Sequence, residues 1–233
     1  MIFREKFKTL NDVFDIFTEK NLFKLISQGH FDGVESPISI GKEANIFSAN
    51  KGSERVIVKI YRLSTCDFKK MYEYLKFDSR FSDTKRNRRQ IIFTWVQREY
   101  RNLMKAREAG VRVPTPIIVL FNILVLEFIG SEDPAPKLKD LPPKNLENFF
   151  EEVVLNMKKL HKAGLVHGDL SAFNILNFND KPVFIDMSQS VTFENQLASE
   201  YLKRDVKNVC GYFRKLGLKV NDEEVLERIM SEK

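Results

Sequence analysis

Cysteine and histidine are scarce in this chain, and no long apolar run occurs. Among 233 residues there are two cysteines and three histidines. Cys66 and Cys210 stand alone, without CxxC or CxxH spacing, which excludes a zinc knuckle and a disulfide framework. His30, His161 and His167 are too scattered for a His-rich metal site. The longest apolar runs, 117–121 and 123–126, are strand-length and broken by Asn122. None approaches the roughly 20 residues that cross a bilayer. The N-terminus, MIFREKFKTL, has no secretory apolar segment, so the expectation is a cytoplasmic protein with no membrane partner.

What is present suits an ordinary globular protein. Hydrophobic residues make up 43% and charged residues 30%, too apolar for disorder. The length buries a core without metal or disulfide staples. One tryptophan against twenty phenylalanines speaks of core filling. Net charge is 38 − 32 = +6, which permits a polyanionic partner such as RNA without requiring one.

Hydrophobic spacing predicts a helix over 10–30, ended by Gly29. Alternation over 37–61, interrupted by Gly41 and by the turn at 51–53, predicts a three-strand meander. Residues 62–92 are polar, with KRNRR at 85–89, and read as a helix plus loop or as a mobile loop. A helix over 93–109 and a hairpin over 117–128 follow. Prolines 134, 136, 142 and 143 mark a linker. Beyond it come an amphipathic helix from Leu146 to Leu160, strands over 175–178 and 182–185, and two terminal helices. The reading is α+β and bilobal, a single domain over 1–233. It divides into an N-terminal helical extension (1–33), a β-rich N-lobe with one main helix (34–129), a hinge and linker (130–143), and a short helical C-lobe (144–233).

Four signals fall in one order. Gly41-Lys42-Glu43-Ala44 lies between two strands, where glycine lets backbone N–H groups approach a phosphate, or simply makes a hairpin turn. Lys59 lies inside the apolar strand VIVKIY, as a solvent-facing edge residue or as a cleft residue reaching phosphates. Glu99 is either a surface helix partner or the carboxylate that holds Lys59. HGDLSAFN at 167–174 and VFIDMSQS at 183–190 then place Asp169, Asn174 and Asp186 close together. Phosphoryl transfer needs such parts: a carboxylate to orient a nucleophile, and an amide plus a carboxylate to hold Mg²⁺ against phosphates. His167 reads as a loop-packing residue rather than a proton carrier.

These residues resemble the RIO atypical protein kinases, in particular the subfamily without an N-terminal winged helix. About 40 residues precede the glycine turn, too few for such a module. The subfamily phosphate loop reads close to STGKEA. Here it is Ser39-Ile40-Gly41-Lys42-Glu43-Ala44, with Ile40 as the departure. His167, Asp169, Leu170, Ser171 and Asn174 match H-x-D-L-S-x-x-N. Ile185, Asp186, Ser188, Gln189, Ser190 and Val191 match I-D-x-S-Q-S-V, and Glu127 to Gly130 match E-F-I-G.

The resemblance implies a protein-kinase-like fold lacking the activation loop and peptide-binding helices. It implies ATP with Mg²⁺, or Mn²⁺, as nucleotide and cofactor. Lys59 would contact the α/β-phosphates and pair with Glu99. The Glu127 carbonyl and the Ile129 N–H would bind adenine. Asp169 would be the catalytic Asp, and Asn174 and Asp186 the metal ligands. It implies Ser/Thr phosphorylation or ATP hydrolysis through an aspartyl phosphate on Asp186, in small-ribosomal-subunit maturation, with a precursor particle or rRNA as partner. The basic 85–89 segment suits such a partner as a mobile RNA-touching loop of Lys85, Arg86, Arg88 and Arg89. Two rivals share part of the pattern. A small-molecule phosphotransferase of aminoglycoside or choline kinase type needs a larger C-lobe. A non-catalytic RNA-binding assembly factor would ordinarily have lost one of the four site residues.

Overall fold

A computed structural model describes residues 14–81 and 87–231. Five antiparallel strands form the N-lobe sheet: β1 (Gly33–Ile40), β2 (Ala44–Lys51), β3 (Glu54–Tyr61), β4 (Pro116–Leu120) and β5 (Ile123–Glu127). Their spatial order is β1-β2-β3-β5-β4. β3 is therefore central, which corrects the edge-strand reading of Lys59. Its alternation sorts the two sheet faces. Val56, Val58 and Ile60 join Leu22, Leu25 and Phe31 in a core under helix α1 (Ile16–Ser27). Lys59 and Tyr61 alternate with them and so face the other way, toward the main core and the cleft.

Asp15 caps α1 with its carboxylate. The helical expectation over 10–30 is thus met from Ile16 to Ser27, while residues 10–13 lie outside the described residues. The polar stretch after β3 holds helix α2 (Phe68–Leu75) and a 3-10 turn (Ser79–Phe81). Helix α3 runs Arg88–Glu108 and starts five residues before the expected 93. The reason is Asn87, whose side chain accepts the N–H groups of Arg89 and Gln90. Arg88 and Arg89 consequently belong to the first turn of a helix, not to a mobile loop. Arg88 packs over Phe68 and Arg89 over Phe17. Lys85 and Arg86 lie outside the described residues.

The stretch at 130–143 is held rather than free: Gly130 bridges Pro134, and Lys137 bridges Leu176. The C-lobe packs α4 (Leu146–Lys162), α5 (Ala198–Lys215) and α6 (Asp222–Met230) around Phe149, Phe150, Val153 and Phe213. Two small hairpin-like pairs sit on this core, β6 (Leu165–Val166) with β9 (Val191–Thr192), and β7 (Ile175–Phe178) with β8 (Lys181–Phe184). The turn between β7 and β8 uses Asn179 and Asp180 at φ 53° and 61°, the left-handed pair a two-residue hairpin loop prefers. Only residues 193–197 separate β9 from α5, so no long activation segment fits there. Among the described residues, no helix is long and apolar enough to cross a membrane.

Candidate active site

Lys59 projects from the middle of β3 and is 6% exposed. Its ammonium lies 2.7 Å from Glu99 and 3.1 Å from Asp186. Glu99 comes from the fourth turn of α3 and is fully buried. Its other oxygen accepts the Tyr61 hydroxyl at 2.5 Å. Burial disfavours the charge on Lys59, but Asp186 and Glu99 outweigh it and hold the ammonium well above its ordinary value. Burial likewise pushes the Glu99 carboxyl up, and Lys59 pulls it back. The ammonium is thus a fixed positive charge between two carboxylates. Tyr61 was not singled out in the sequence. Its place two residues after Lys59, on the same strand face, is the signal that finds it.

Asp186 lies two residues past β8, in the left-handed region at φ 60° and ψ 64°. That conformation is uncommon outside glycine, and Asp tolerates it better than most. It turns the carboxylate back toward Lys59, where Ser188 Oγ also donates to it at 2.7 Å. Desolvation opposes its charge, although the side chain is 43% exposed, but Lys59 and Ser188 hold the carboxyl down to about 2. The next turn is clamped by α3. Arg98 donates to the carbonyls of Ser188 and Ser190 at 2.6 and 2.7 Å, and Asn102 to that of Met187 at 2.9 Å. Arg98 is itself paired with Asp78 at 3.0 Å. The same helix therefore fixes both Lys59 and the loop of Asp186.

Asp169 sits on the preceding loop. Asn174 Nδ2 donates to the Asp169 carbonyl at 2.8 Å and to its Oδ2 at 3.1 Å. Gln189 Nε2 also reaches that Oδ2 at 3.3 Å, and Gln189 Oε1 takes the Tyr74 hydroxyl from α2 at 3.0 Å. Burial, aided by the Asp186 charge and opposed by His167, pushes the Asp169 carboxyl up. The loop backbone hangs on Asp205 of α5. One carboxylate oxygen accepts Gly168 N–H at 2.8 Å, the other Leu170 N–H at 2.9 Å. Gly168 has φ 79°, and a Cβ there would meet the Gln189 carbonyl at 2.7 Å, so glycine is required between His167 and Asp169. His167 Nε2 lies 3.1 Å from the Ile185 carbonyl, which makes Nε2 the protonated nitrogen and leaves Nδ1 to accept Asp169 N–H at 3.3 Å. The histidine ties the two loops together by backbone contacts.

Between the lobes lies a cavity of about 400 Å³. Its wall is mostly aliphatic, with Ile46, Ile57, Leu126 and Leu176 on opposite sides. Lys59, Glu99, Asn174 and Asp186 form its polar end, and Glu127 and Ile129 its rim. The Glu127 side chain is engaged elsewhere, accepting Arg112 Nη1 at 2.8 Å and Thr115 N–H at 2.9 Å. Burial opposes its charge, but Arg112 and Thr115 hold the carboxyl down to about 2. Gly41, Lys42, Glu43 and Ala44 lie outside this lining, which takes Ile38 and Ser39 from β1 instead. A Cβ at Gly41 would meet the Ala44 carbonyl at 2.9 Å.

A divalent cation fits the polar end on its donor chemistry. Asp186 is held anionic, and Asn174, with its amide nitrogen committed to Asp169, presents its oxygen. Among the described residues no cluster of three or more His, Cys, Asp or Glu side chains converges to hold a metal. Two hard oxygen donors suit Mg²⁺, which keeps several waters and takes phosphate oxygens.

Known proteins resemble this chain closely. A family model described as the RIO domain matches residues 45–226. The RIO-type serine/threonine-protein kinase Rio1 of Methanocaldococcus jannaschii is 44% identical over 229 residues, covering 97% of this chain and 79% of that protein. Rio1 of Haloferax volcanii is 41% identical over 225 residues, covering 96% and 78%. Among solved structures, the Rio2 kinase of Chaetomium thermophilum in an ADP/Mg²⁺-phosphoaspartate complex has a TM-score of 0.67 at 20% identity. That match covers 88% of this chain and 64% of that one, a likeness of fold. With the bilobal cleft, the match over most of the chain and relatives above 40% identity in view, the chain belongs to the RIO family of serine/threonine-protein kinases.

Proposed function

We propose that this protein transfers the γ-phosphoryl group of ATP, with Mg²⁺, as an atypical serine/threonine protein kinase of the cytoplasm. The observation that carries the reading is the convergence of Lys59, Glu99, Asn174 and Asp186 at one end of an apolar cavity. The aliphatic wall takes the adenine, with the Glu127 carbonyl and the Ile129 N–H at the rim. Lys59, held by Glu99, meets the α- and β-phosphates. Asn174 and Asp186 hold the metal, which neutralises phosphate charge when bound. Asp169 orients the attacking group: Asn174 and Gln189 fix its Oδ2, which leaves Oδ1 to receive the acceptor's proton. RIO membership favours this reading over a small-molecule phosphotransferase, and the ionised site favours it over a non-catalytic assembly factor.

ATP hydrolysis through Asp186 is the second outcome of the same site. A carboxylate oxygen of Asp186 would attack the γ-phosphorus, the bond to ADP would break, and water would cleave the acyl phosphate. The Rio2 structure of Chaetomium thermophilum carries a phosphoaspartate, which supports the idea here. One experiment covers both routes: turnover of radiolabelled ATP with Mg²⁺, followed by a rapid quench. Lys59→Ala and Asp186→Asn should each lose at least about 10²-fold in turnover while remaining folded. Near-wild-type turnover in either folded variant would overturn the site. Label that hydroxylamine removes identifies the acyl phosphate; label that resists it leaves protein phosphorylation alone.

A small-ribosomal-subunit precursor or its RNA is the partner that the family resemblance supports. With Arg88 and Arg89 packed on aromatic rings, the contact would rest mainly on Lys85 and Arg86. Replacing those two with serine should shallow the dependence of log K on log salt by roughly 0.7–0.9 per phosphate contact. An unchanged slope would remove the segment from any RNA interface.

A further inference from the structure

The glycine turn between β1 and β2 is gripped from behind by the segment that follows β3. Four groups from three residues in 62–66 reach carbonyls of that turn. Thr65 Oγ1 donates to the Lys42 carbonyl at 3.1 Å. Cys66 Sγ donates to the Glu43 carbonyl at 3.0 Å. Arg62 N–H donates to that same carbonyl at 2.9 Å. The Arg62 guanidinium stands 3.5 Å from the Gly41 carbonyl, at the outer limit of a hydrogen bond. The segment is itself anchored at its far side, since Arg88 of α3 donates to the Ser64 carbonyl and stacks on Phe68.

In a trans peptide the C=O of one residue and the N–H of the next point in opposite directions. Carbonyls 42 and 43 face residues 62–66, so the N–H groups of Glu43 and Ala44 face away from them. Successive N–H groups turned to one side make a concavity suited to an anion. Without the donors behind it, a two-residue turn next to a bulged edge strand is free to flip those peptides. Cys66 is buried among the main core residues, and burial pushes its thiol up to about 11, so it stays a neutral donor.

We propose that residues 62–66 are a positioning strap for the phosphate loop, and that Thr65 and Cys66 set the affinity for the nucleotide's polyphosphate by fixing the peptides at 42–44. This rests on the reading of the cavity as an ATP site. The strap links three parts of that site, because it leaves β3 two residues after Lys59's neighbour Ile60 and is pinned to the helix that carries Glu99.

The test is isothermal titration of the full chain with ATP and Mg²⁺, and separately with adenosine, which lacks phosphates. Thr65 is exposed, so Thr65→Val removes one hydroxyl at little risk to the fold. One hydrogen bond of ordinary strength corresponds to roughly three- to tenfold in affinity. Thr65→Val should weaken ATP by that factor and leave adenosine unchanged, and Thr65→Ser should restore ATP binding. Cys66→Ala should add to the loss, and Cys66→Ser should not. Unchanged ATP affinity in Thr65→Val, or an equal loss for ATP and adenosine, would overturn the strap. A wild-type protein that binds neither ligand would overturn the ATP reading itself, a separate result.

Discussion

Asp205 acts on the site at one remove. It touches no expected ligand position, yet both of its oxygens are spent on the loop that carries Asp169. Burial drives its carboxyl up to about 6, against the pull of His167 and the two N–H donors. Its folded value therefore lies above the unfolded value of about 3.9, so the native state binds the proton more tightly. Stability from this group is highest below about pH 4 and falls as pH rises through about 6. The gap corresponds to about 3 kcal/mol. Asp205→Asn removes that titration, and its amide nitrogen cannot accept the second N–H. Denaturant unfolding at pH 4 and pH 7.5 should show the variant's stability deficit shrinking by about 2–3 kcal/mol at the higher pH. A deficit that does not change with pH would mean that Asp205 titrates at its ordinary value. At either pH the variant should turn over ATP more slowly, since the Asp169 loop loses a tether.

At the scale of elements, what was legible followed from period and motif. The alternation of β3, the stripe of α4 and the loops of Asp169 and Asp186 all stand where the sequence places them, because local spacing decides them. The misses have a common cause. The start of α3 was set by a polar cap, Asn87, and by two arginines whose guanidinium groups lie over phenylalanine rings. Hydrophobic spacing cannot register either. The grip of Arg98 and Asn102 on the Asp186 loop joins positions 85 to 92 residues apart, and nothing local marks it. Taken alone, Lys59 could be an edge residue or a cleft residue, because strand order is a property of the whole sheet. The cap offers a direct check. Asn87→Ala should cost about 1 kcal/mol, measured as a lower denaturation midpoint with an unchanged slope, while Asn87→Asp should keep most of the stability. Equal stability of the alanine variant would mean that α3 begins later than Arg88.

Across the whole molecule, β3 and β1 differ in how they are held. β3 is bonded on both sides, to β2 and to β5. β1 is an edge strand, its pairing with β2 shifts twice, and its last six positions are exposed. Amide hydrogen exchange separates such strands, because protection follows the free energy of the opening that frees each N–H. Amides at 56–60 should exchange only when the whole lobe unfolds, whereas those at 38–40 should exchange through small local openings, orders of magnitude faster. Equal rates at the two strands would mean that the sheet opens as one unit. The two walls of the cleft then keep different time. On that expectation the wall bearing Lys59 would stay fixed for as long as the protein stays folded, while the roof over it, Ile38 to Ile40 of β1, would open and reclose many times in that interval. A nucleotide bound as proposed would then leave beneath β1 without disturbing Lys59 and its two carboxylates.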